Sequence, residues 1–481
     1  MRVLLISANT EMISMPVLPL GLACVATATQ KAGHDVALLN LMFEGDPILG
    51  IKNSIEDFRP NVIGISVRNI DDQNMLHPQF LLARVKEIVA SCRRLSGAPI
   101  ILGGAGYSIF PESALRYLGA DTGIQGEGEV VFPLLVDQID KGKQVSDLPG
   151  VCLPCPPPSF PRNFPSAKAG EPESIAEVDP RLRGGDDRSP FRQAADAVQV
   201  HPSPLLRAVS ASRTGEPPLR HFEKNLDDLP LPEHSFWIPP GADQRDLWVP
   251  VQSRRGCPLD CTFCSTSTIE GKTVRSRSPE RVVKWLAKLW ETGNRNFNFV
   301  DNTFNLPLTY AKDLCRQVIQ TKLDLHLWCL IYPKWIDAEL VELMRQAGCH
   351  QISFGFESGS DRMLRSLNKQ FNRDEVSAIS KMFAEAGIER MGFLLLGGPG
   401  ETKDSVEESL AFADSLKLEA LKITVGLRIY PQTPLAETAL AEGAIRPDDD
   451  LLFPRFYCAP ELRDWLLERV AAYKASRPWV N

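Results

Sequence analysis

Residues 248–264 read WVPVQSRRGCPLDCTFC, a short apolar run that ends in a loop holding Cys257, Cys261 and Cys264. The run has the length and side-chain character of a buried strand. Gly256 and Pro258 favour a loop over a helix after it. Three thiols within eight residues, just past a strand, suit a soft metal or an iron–sulfur cluster. Structural zinc ordinarily takes four ligands, and no fourth Cys or His follows nearby. Zinc with a distant fourth ligand and three unrelated core cysteines are the two plainer readings. Three ligands on a four-iron cube leave one iron open to a small molecule, which makes such a site reactive rather than structural.

Outward from this stretch the pattern repeats. Strand-like runs at 248–253, 296–301, 323–331, 351–356, 391–396 and 421–427 alternate with helical ones. Ser278 is placed to cap one helix, with Pro279 in its first turn and Gly293 at its end. Further helices are expected over 337–348, over about 374–387 and from Thr402. Six such units predict a partly closed (β/α)6, TIM-like barrel of parallel strands, with its site at the C-terminal strand ends.

The first 150 residues alternate too. Apolar runs at 2–7, 35–41, 62–67, 99–104 and 121–126 are separated by helical patterns at 20–33, 78–95, 110–118 and 129–141. Such runs predict an α/β, doubly wound parallel sheet, covered by helices on both faces. Ligands of these sheets sit beyond the carboxyl ends of the strands. Between the two halves, residues 154–218 hold 13 of the chain's 38 prolines without periodicity. That composition cannot bury a core and reads as linker or disordered insertion. Within it, VDPRLRGGDD at 178–187 resembles translated repetitive DNA. The plan is therefore a first domain at 1–150, a proline-rich linker at 151–225, a barrel at 226–445 and a short tail at 446–481.

Composition narrows the partners. The 60 acidic residues outnumber 53 basic ones, for a net charge of −7, so a nucleic-acid partner is not expected. Hydrophobic residues at 43% and charged residues at 23% fit an ordinary globular chain. No apolar run reaches the roughly 18 residues of a membrane span. The start reads as a first strand rather than a signal peptide, so a cytoplasmic location is expected. An odd count of 11 cysteines argues against a disulfide framework. Cys152 and Cys155 have redox spacing but no helix follows them. Cys24, Cys92, Cys315, Cys329, Cys349 and Cys458 read as packing residues.

The pattern Cys257-x-x-x-Cys261-x-Phe263-Cys264 after a first barrel strand resembles the radical S-adenosylmethionine (radical SAM) superfamily, across residues 247–430. The resemblance implies a 4Fe–4S cluster on the three cysteines. Its open iron would chelate the methionine end of SAM, and one electron would release a 5′-deoxyadenosyl radical. Later strand ends resemble the rest of a SAM site. Asp301 and Asn302 lie where the family contacts the methionine amine, although the usual Gly-Gly-Glu is absent. Gly355, Glu357 and Ser358 resemble a ribose-contact motif, and Gly397 opens the Gly397-Gly-Pro-Gly-Glu401 pattern near adenine. Physically, glycine permits close approach and a carboxylate accepts from hydroxyls or an ammonium. Arg428 and Tyr430, after the sixth strand, are candidates for substrate contact.

The first domain resembles the cobalamin (B12)-binding, flavodoxin-like domain that precedes many radical SAM domains. Ser66, Gly103, Gly104, Gly126 and Glu127, at its strand ends, are the candidate cobalamin contacts. The Asp-x-His-x-x-Gly pattern is absent, and neither His34 nor His77 has the context of a cobalt ligand, so binding without histidine ligation is expected. The loop 68–72 is expected to be solvated. Together these features imply a cobalamin-dependent methyltransferase acting on an unactivated carbon of a small molecule, supplied with electrons by a ferredoxin or flavodoxin. A cyclase or rearrangement enzyme on the same scaffold is the alternative. A tRNA methylthiotransferase and a cobalamin or iron–sulfur sensor are weaker ones. No residue pattern identifies a catalytic side chain or the substrate.

Overall fold

The computed structural model describes residues 1–11, 17–154, 220–237 and 247–480. Nearly all of the expected linker, Cys155 and the 178–187 stretch included, lies outside them.

The first sheet contains β1 (Arg2–Ser7), β2 (Asp35–Asn40), β3 (Val62–Ser66), β4 (Ile100–Gly103), β5 (Thr122–Ile124) and β6 (Val151–Cys152), in the order β2-β1-β3-β4-β5-β6. The first five are parallel, and β6 adds an antiparallel edge. In β1, Val3 to Ser7 are all buried, as a strand with helices on both faces requires. The helix Pro47–Phe58 was not foreseen. Asp46 caps it by accepting from the Ile48 and Leu49 amides, and Pro47 fills its first turn.

The second half opens on β7 (Trp248–Val251). A hairpin of β8 (Arg254–Arg255) and β9 (Arg275–Ser276) follows, then β10 (Asn296–Phe299), β11 (His326–Ile331), β12 (Cys349–Glu357), β13 (Glu389–Leu396) and β14 (Ala420–Val425). The sheet runs β7-β10-β11-β12-β13-β14, all parallel and in chain order, with β7 and β14 at its edges and Leu421 of β14 bridged to Val480. Burial alternates along β10, β11 and β13, so one face packs on helices and the other lines a concavity. This is the expected incomplete barrel. Ser278 sits at the N-cap of Pro279–Glu291, yet its side chain makes no cap bond; its amide donates to the Asp227 carboxylate instead. The next-to-last barrel helix expected near Asp374 begins at Arg373, with a reciprocal Asn372–Glu375 cap.

The tail is integrated. β15 (Leu427–Arg428) pairs with β16 (Phe456–Tyr457), and the helix Arg463–Ala475 buries Leu466, Val470 and Tyr473 against the barrel. The two halves also share a core. Leu427, Ile429, Leu435 and Leu451 pack in one cluster with Ile6, Ile65 and Leu102 of the first sheet. The carboxyl ends of the first sheet therefore face the loop that follows β7. No described helix is long and apolar enough to cross a membrane.

Candidate functional site

The cysteine loop is enclosed by the β8–β9 hairpin and held from four sides. Asp301, fully buried past β10, accepts from the Ser253 amide at 2.7 Å and the Arg254 amide at 2.9 Å, and pairs with the Arg254 guanidinium at 3.0 Å. Gly256 takes φ +87°, where an L side chain is strained, and the Cys257 amide donates to the Gly271 carbonyl. Farther along, the Thr262 amide donates to the Leu367 carbonyl and the Thr262 carbonyl accepts from the Leu435 amide. Asn368 Nδ2 donates to the Asp260 carbonyl at 2.7 Å. Cys257 is buried, and Cys261 and Cys264 are half-buried. Burial raises the Cys257 thiol to about 11 and raises that of Cys261 as well.

A cation stands beside this loop. Lys369 Nζ lies 3.2 Å from the Glu357 carboxylate, 5.1 Å from the Phe263 ring centroid, and against Cys261, where its charge opposes the effect of burial on that thiol. Glu357 ends β12 at φ +60°, and a Cβ on Gly355 would overlap its carboxylate. One strand on, after β13, the Gly397 and Gly398 amides both donate to Glu401 Oε2. Burial pushes the Glu401 carboxyl up to about 7.

Above the loop lies a cavity of about 320 Å³ between the halves. From the first sheet come Ser66, Gly103, Gly104, Gly126 and Glu127; from the second come Gln252, Arg255 and Glu270. At Gly103 and Gly126 a Cβ would meet no atom closer than 4.0 and 3.7 Å, so the missing side chains leave open room. Gly104 (φ +101°) is different: a Cβ there would lie 2.6 Å from the Val67 carbonyl oxygen. Buried ion pairs join the two walls of the cavity. Glu127 pairs with Arg275 at 2.7 Å and Arg255 at 3.4 Å, and Glu129 pairs with Arg255 at 2.5 Å. Outside the cavity lining, Asp71 pairs with Arg428 at 2.7 Å, and Gln73 donates to the Tyr430 hydroxyl at 2.9 Å.

Residues 251–413 match the family model of the radical SAM superfamily, and residues 7–136 match that of the B12 binding domain. The chain carries a radical SAM domain and a B12-binding domain. The chain is 26% identical to an uncharacterized methyltransferase of Pyrococcus horikoshii, over 92% of this chain and 84% of that one. It is 24% identical to the tryptophan 2-C-methyltransferase of Streptomyces laurentii, over 90% and 74%. The fold is also that of the radical SAM methyltransferase TsrM from Kitasatospora setae, solved with cobalamin and a 4Fe–4S cluster bound. That likeness has a TM-score of 0.70 at 23% identity and covers 92% of this chain and 76% of that one.

The donor set of this chain fits the cofactors of these domains. Three thiols share one loop, and Cys257 and Cys261 feel each other and Cys264 electrostatically. Among the described residues no three Cys, His, Asp or Glu side chains cluster as ligands of a single metal ion, and a cluster spreads its thiolates over different irons. The strand-end glycines supply a cradle for a large flat cofactor. Among the described residues its walls include no imidazole: His34 is buried away from it, between Asp137 and the N-terminus.

Several expected site residues take other places. Asp301 has both carboxylate oxygens engaged by Ser253 and Arg254, so it anchors the cysteine loop and is not free to bind a methionine amine. Asn302 Nδ2 donates to Glu270. Ser358 is 1% exposed and bonded to Ser409 Oγ, facing the helix Lys403–Leu416 rather than a ribose. Glu127 lines the cavity but is engaged by two arginines and the Glu223 amide. Arg428 is buried, with donors on Asp71 and the carbonyls of Ile429 and Leu451, so it joins the halves instead of meeting substrate. The loop expected to be solvated is thus partly buried: Asp71 is 7% exposed. Lys369, Arg255, Glu129 and Glu270 escaped the sequence reading. The partners named above lie 12 to 128 residues away, and no local pattern marks such pairs.

Proposed function

We propose that this protein is a cobalamin-dependent methyltransferase that uses radical SAM chemistry on an unactivated carbon of a small molecule. The observation that carries the reading is the cavity itself. Strand-end glycines of the B12-binding fold form one wall, and Arg255, two residues before Cys257, forms part of the other. That three relatives spanning about nine-tenths of the chain are named methyltransferases supports methyl transfer as the outcome.

In this reading Cys257, Cys261 and Cys264 hold the cluster. Phe263, Gly355, Glu357 and Gly397 line the SAM side, and Ser66, Gly103, Gly104 and Gly126 hold cobalamin. When bound, the cluster supplies the electron that splits SAM, and cobalamin carries the methyl group. Lys369 sets a positive charge against the thiolates and Glu357. The buried Glu127, Glu129 and Arg255 pairs bind the cofactor wall to the strand that leads into the cysteine loop. A one-electron donor such as ferredoxin or flavodoxin delivers the electron. Residues 1–150 and 226–445 are the two working domains, with 446–481 closing the barrel edge.

The test is anaerobic. Protein loaded with cobalamin and a reconstituted cluster is given SAM and reductant, and products are read by mass spectrometry. The expected products are 5′-deoxyadenosine and S-adenosylhomocysteine, both lost in a Cys257→Ala, Cys261→Ala, Cys264→Ala variant. Deoxyadenosine alone would overturn methyl transfer, and neither product from a fully loaded protein would overturn the radical reading too.

A further inference from the structure

Asn9 lies just past β1 and Arg68 just past β3, and these strands are neighbours in the first sheet. The Ala8 amide donates to the Ser66 carbonyl at 3.2 Å and clips the two loops together. Both residues line the large cavity, and both line a small recess behind it that also includes Glu11 and Arg84. They form the partition between the two spaces.

Asn9 is 7% exposed. Its Oδ1 accepts from the Glu11 amide at 3.5 Å, a long bond, while Nδ2 has no partner among the described residues. A buried amide donor without an acceptor weakens a fold, and such groups are rare in native proteins unless something bound uses them. Aspartate, serine or alanine at this position would avoid the orphaned donor. Beside it, the Arg68 guanidinium bonds to Asn69 Oδ1 at 3.2 Å and leaves other N–H groups to a ligand. An amide donor and a guanidinium side by side select an oxygen acceptor.

We infer that Asn9, flanked by Arg68, is a donor site for an oxygen acceptor on the corrinoid held in the cavity. The inference rests on the proposed binding of cobalamin there. A corrinoid offers such oxygens in two places: the amide carbonyls around its rim, and the phosphodiester of its nucleotide tail. Either would satisfy Nδ2, and the two sources can be separated by experiment.

Full-length protein is titrated by equilibrium dialysis with hydroxocobalamin and, separately, with cobinamide, which keeps the rim amides but lacks the tail phosphodiester. Asn9→Ala is expected to bind cobalamin about tenfold more weakly, the effect of one lost hydrogen bond. Asn9→Asp, which replaces a donor by an anionic acceptor, is expected to lose more. Without ligand, Asn9→Ala should not melt below the wild type, because the orphaned donor has been removed; the melting criterion applies to Asn9→Ala alone, since Asn9→Asp buries a charge. Equal losses for both corrinoids place the acceptor on the rim; a loss for cobalamin alone places it on the tail. Unchanged affinity in both variants overturns the inference and leaves a bound water as the partner of Nδ2. So does an affinity loss that follows a lower ligand-free Tm, which marks a structural asparagine. A wild type that binds neither corrinoid overturns the cobalamin reading beneath the inference, and the inference with it.

Discussion

Asp301 joins two strands through one carboxylate. Its oxygens accept two successive backbone amides after β7 and carry the charge of Arg254, and both side chains are 3% exposed or less. Breaking one partner of a buried pair leaves an uncompensated charge, which costs about 3–5 kcal/mol. Asp301→Asn keeps the shape, so the loss should fall near the lower figure, as a shift in the denaturant midpoint. Because Arg254 lies three residues before Cys257, iron and sulfide content should fall as well. An unshifted midpoint with full iron would remove the anchoring role. Glu401 gives a second residue-scale prediction, through pH. Its carboxyl is 2% exposed and raised by burial to about 7, so the folded state holds its proton more tightly than the unfolded chain does. Such a group contributes no destabilisation below the unfolded value, near 4.5. The fold then weakens as pH rises through the interval to about 7, by roughly 3 kcal/mol at most. Glu401→Gln removes the titration. Its unfolding free energy should therefore lack this fall between pH 4.5 and 7, when compared with wild type in denaturant series at several pH values. Parallel pH curves would contradict the assignment.

Elements were the most legible scale. All eleven expected strands form, because each is an apolar run of strand length bounded by glycine, proline or polar residues. Among the strands, those that escaped have causes other than periodicity. β6 has two residues and exists only as an edge partner of β5. β8 and β9 form because Arg254 and Arg255 find buried carboxylates, although two arginines read as a solvated pair. Strand ends show the same division. The sequence marks Gly103 and Gly104 alike as a turn, yet only the structure separates their reasons. Gly104 lies at positive φ against a backbone carbonyl, so Gly104→Ala should destabilise by about 1–3 kcal/mol, whatever is bound. Gly103 faces open space, so Gly103→Ala should leave stability within about 0.5 kcal/mol of wild type. Its methyl group would instead narrow the cavity and weaken corrinoid binding. Thermal melts without ligand, set beside dialysis with hydroxocobalamin, separate the two. Equal melting losses would show that both glycines serve the turn alone.

At the scale of the molecule, the cavity exists only while the halves are joined, and the join is partly ionic. The side chains of Asp71 and Arg428 are 2–3% exposed and 2.7 Å apart, 357 residues apart in sequence, and Met75 packs against Gly426 beside them. Sequence separation of that order is why the join could not be read from the chain, while the two sheets it joins could. The pair is deep enough that salt should screen it little. Asp71→Asn strands the guanidinium among carbonyls; opening the interface would return that charge to water. The expected outcome is local rather than global. Amide exchange should rise at 67–75 and 426–430, the segments that carry the pair, while the strands of each sheet keep their protection. Corrinoid affinity should fall, because both walls of the cavity must be in place. An Asp71→Asn, Arg428→Met double variant removes the stranded charge and should recover part of the loss, as a coupling of about 0.5–3 kcal/mol between directly paired groups. Additive losses, with exchange unchanged at both segments, would mean that the shared apolar core alone holds the halves and that this ion pair does not govern the site.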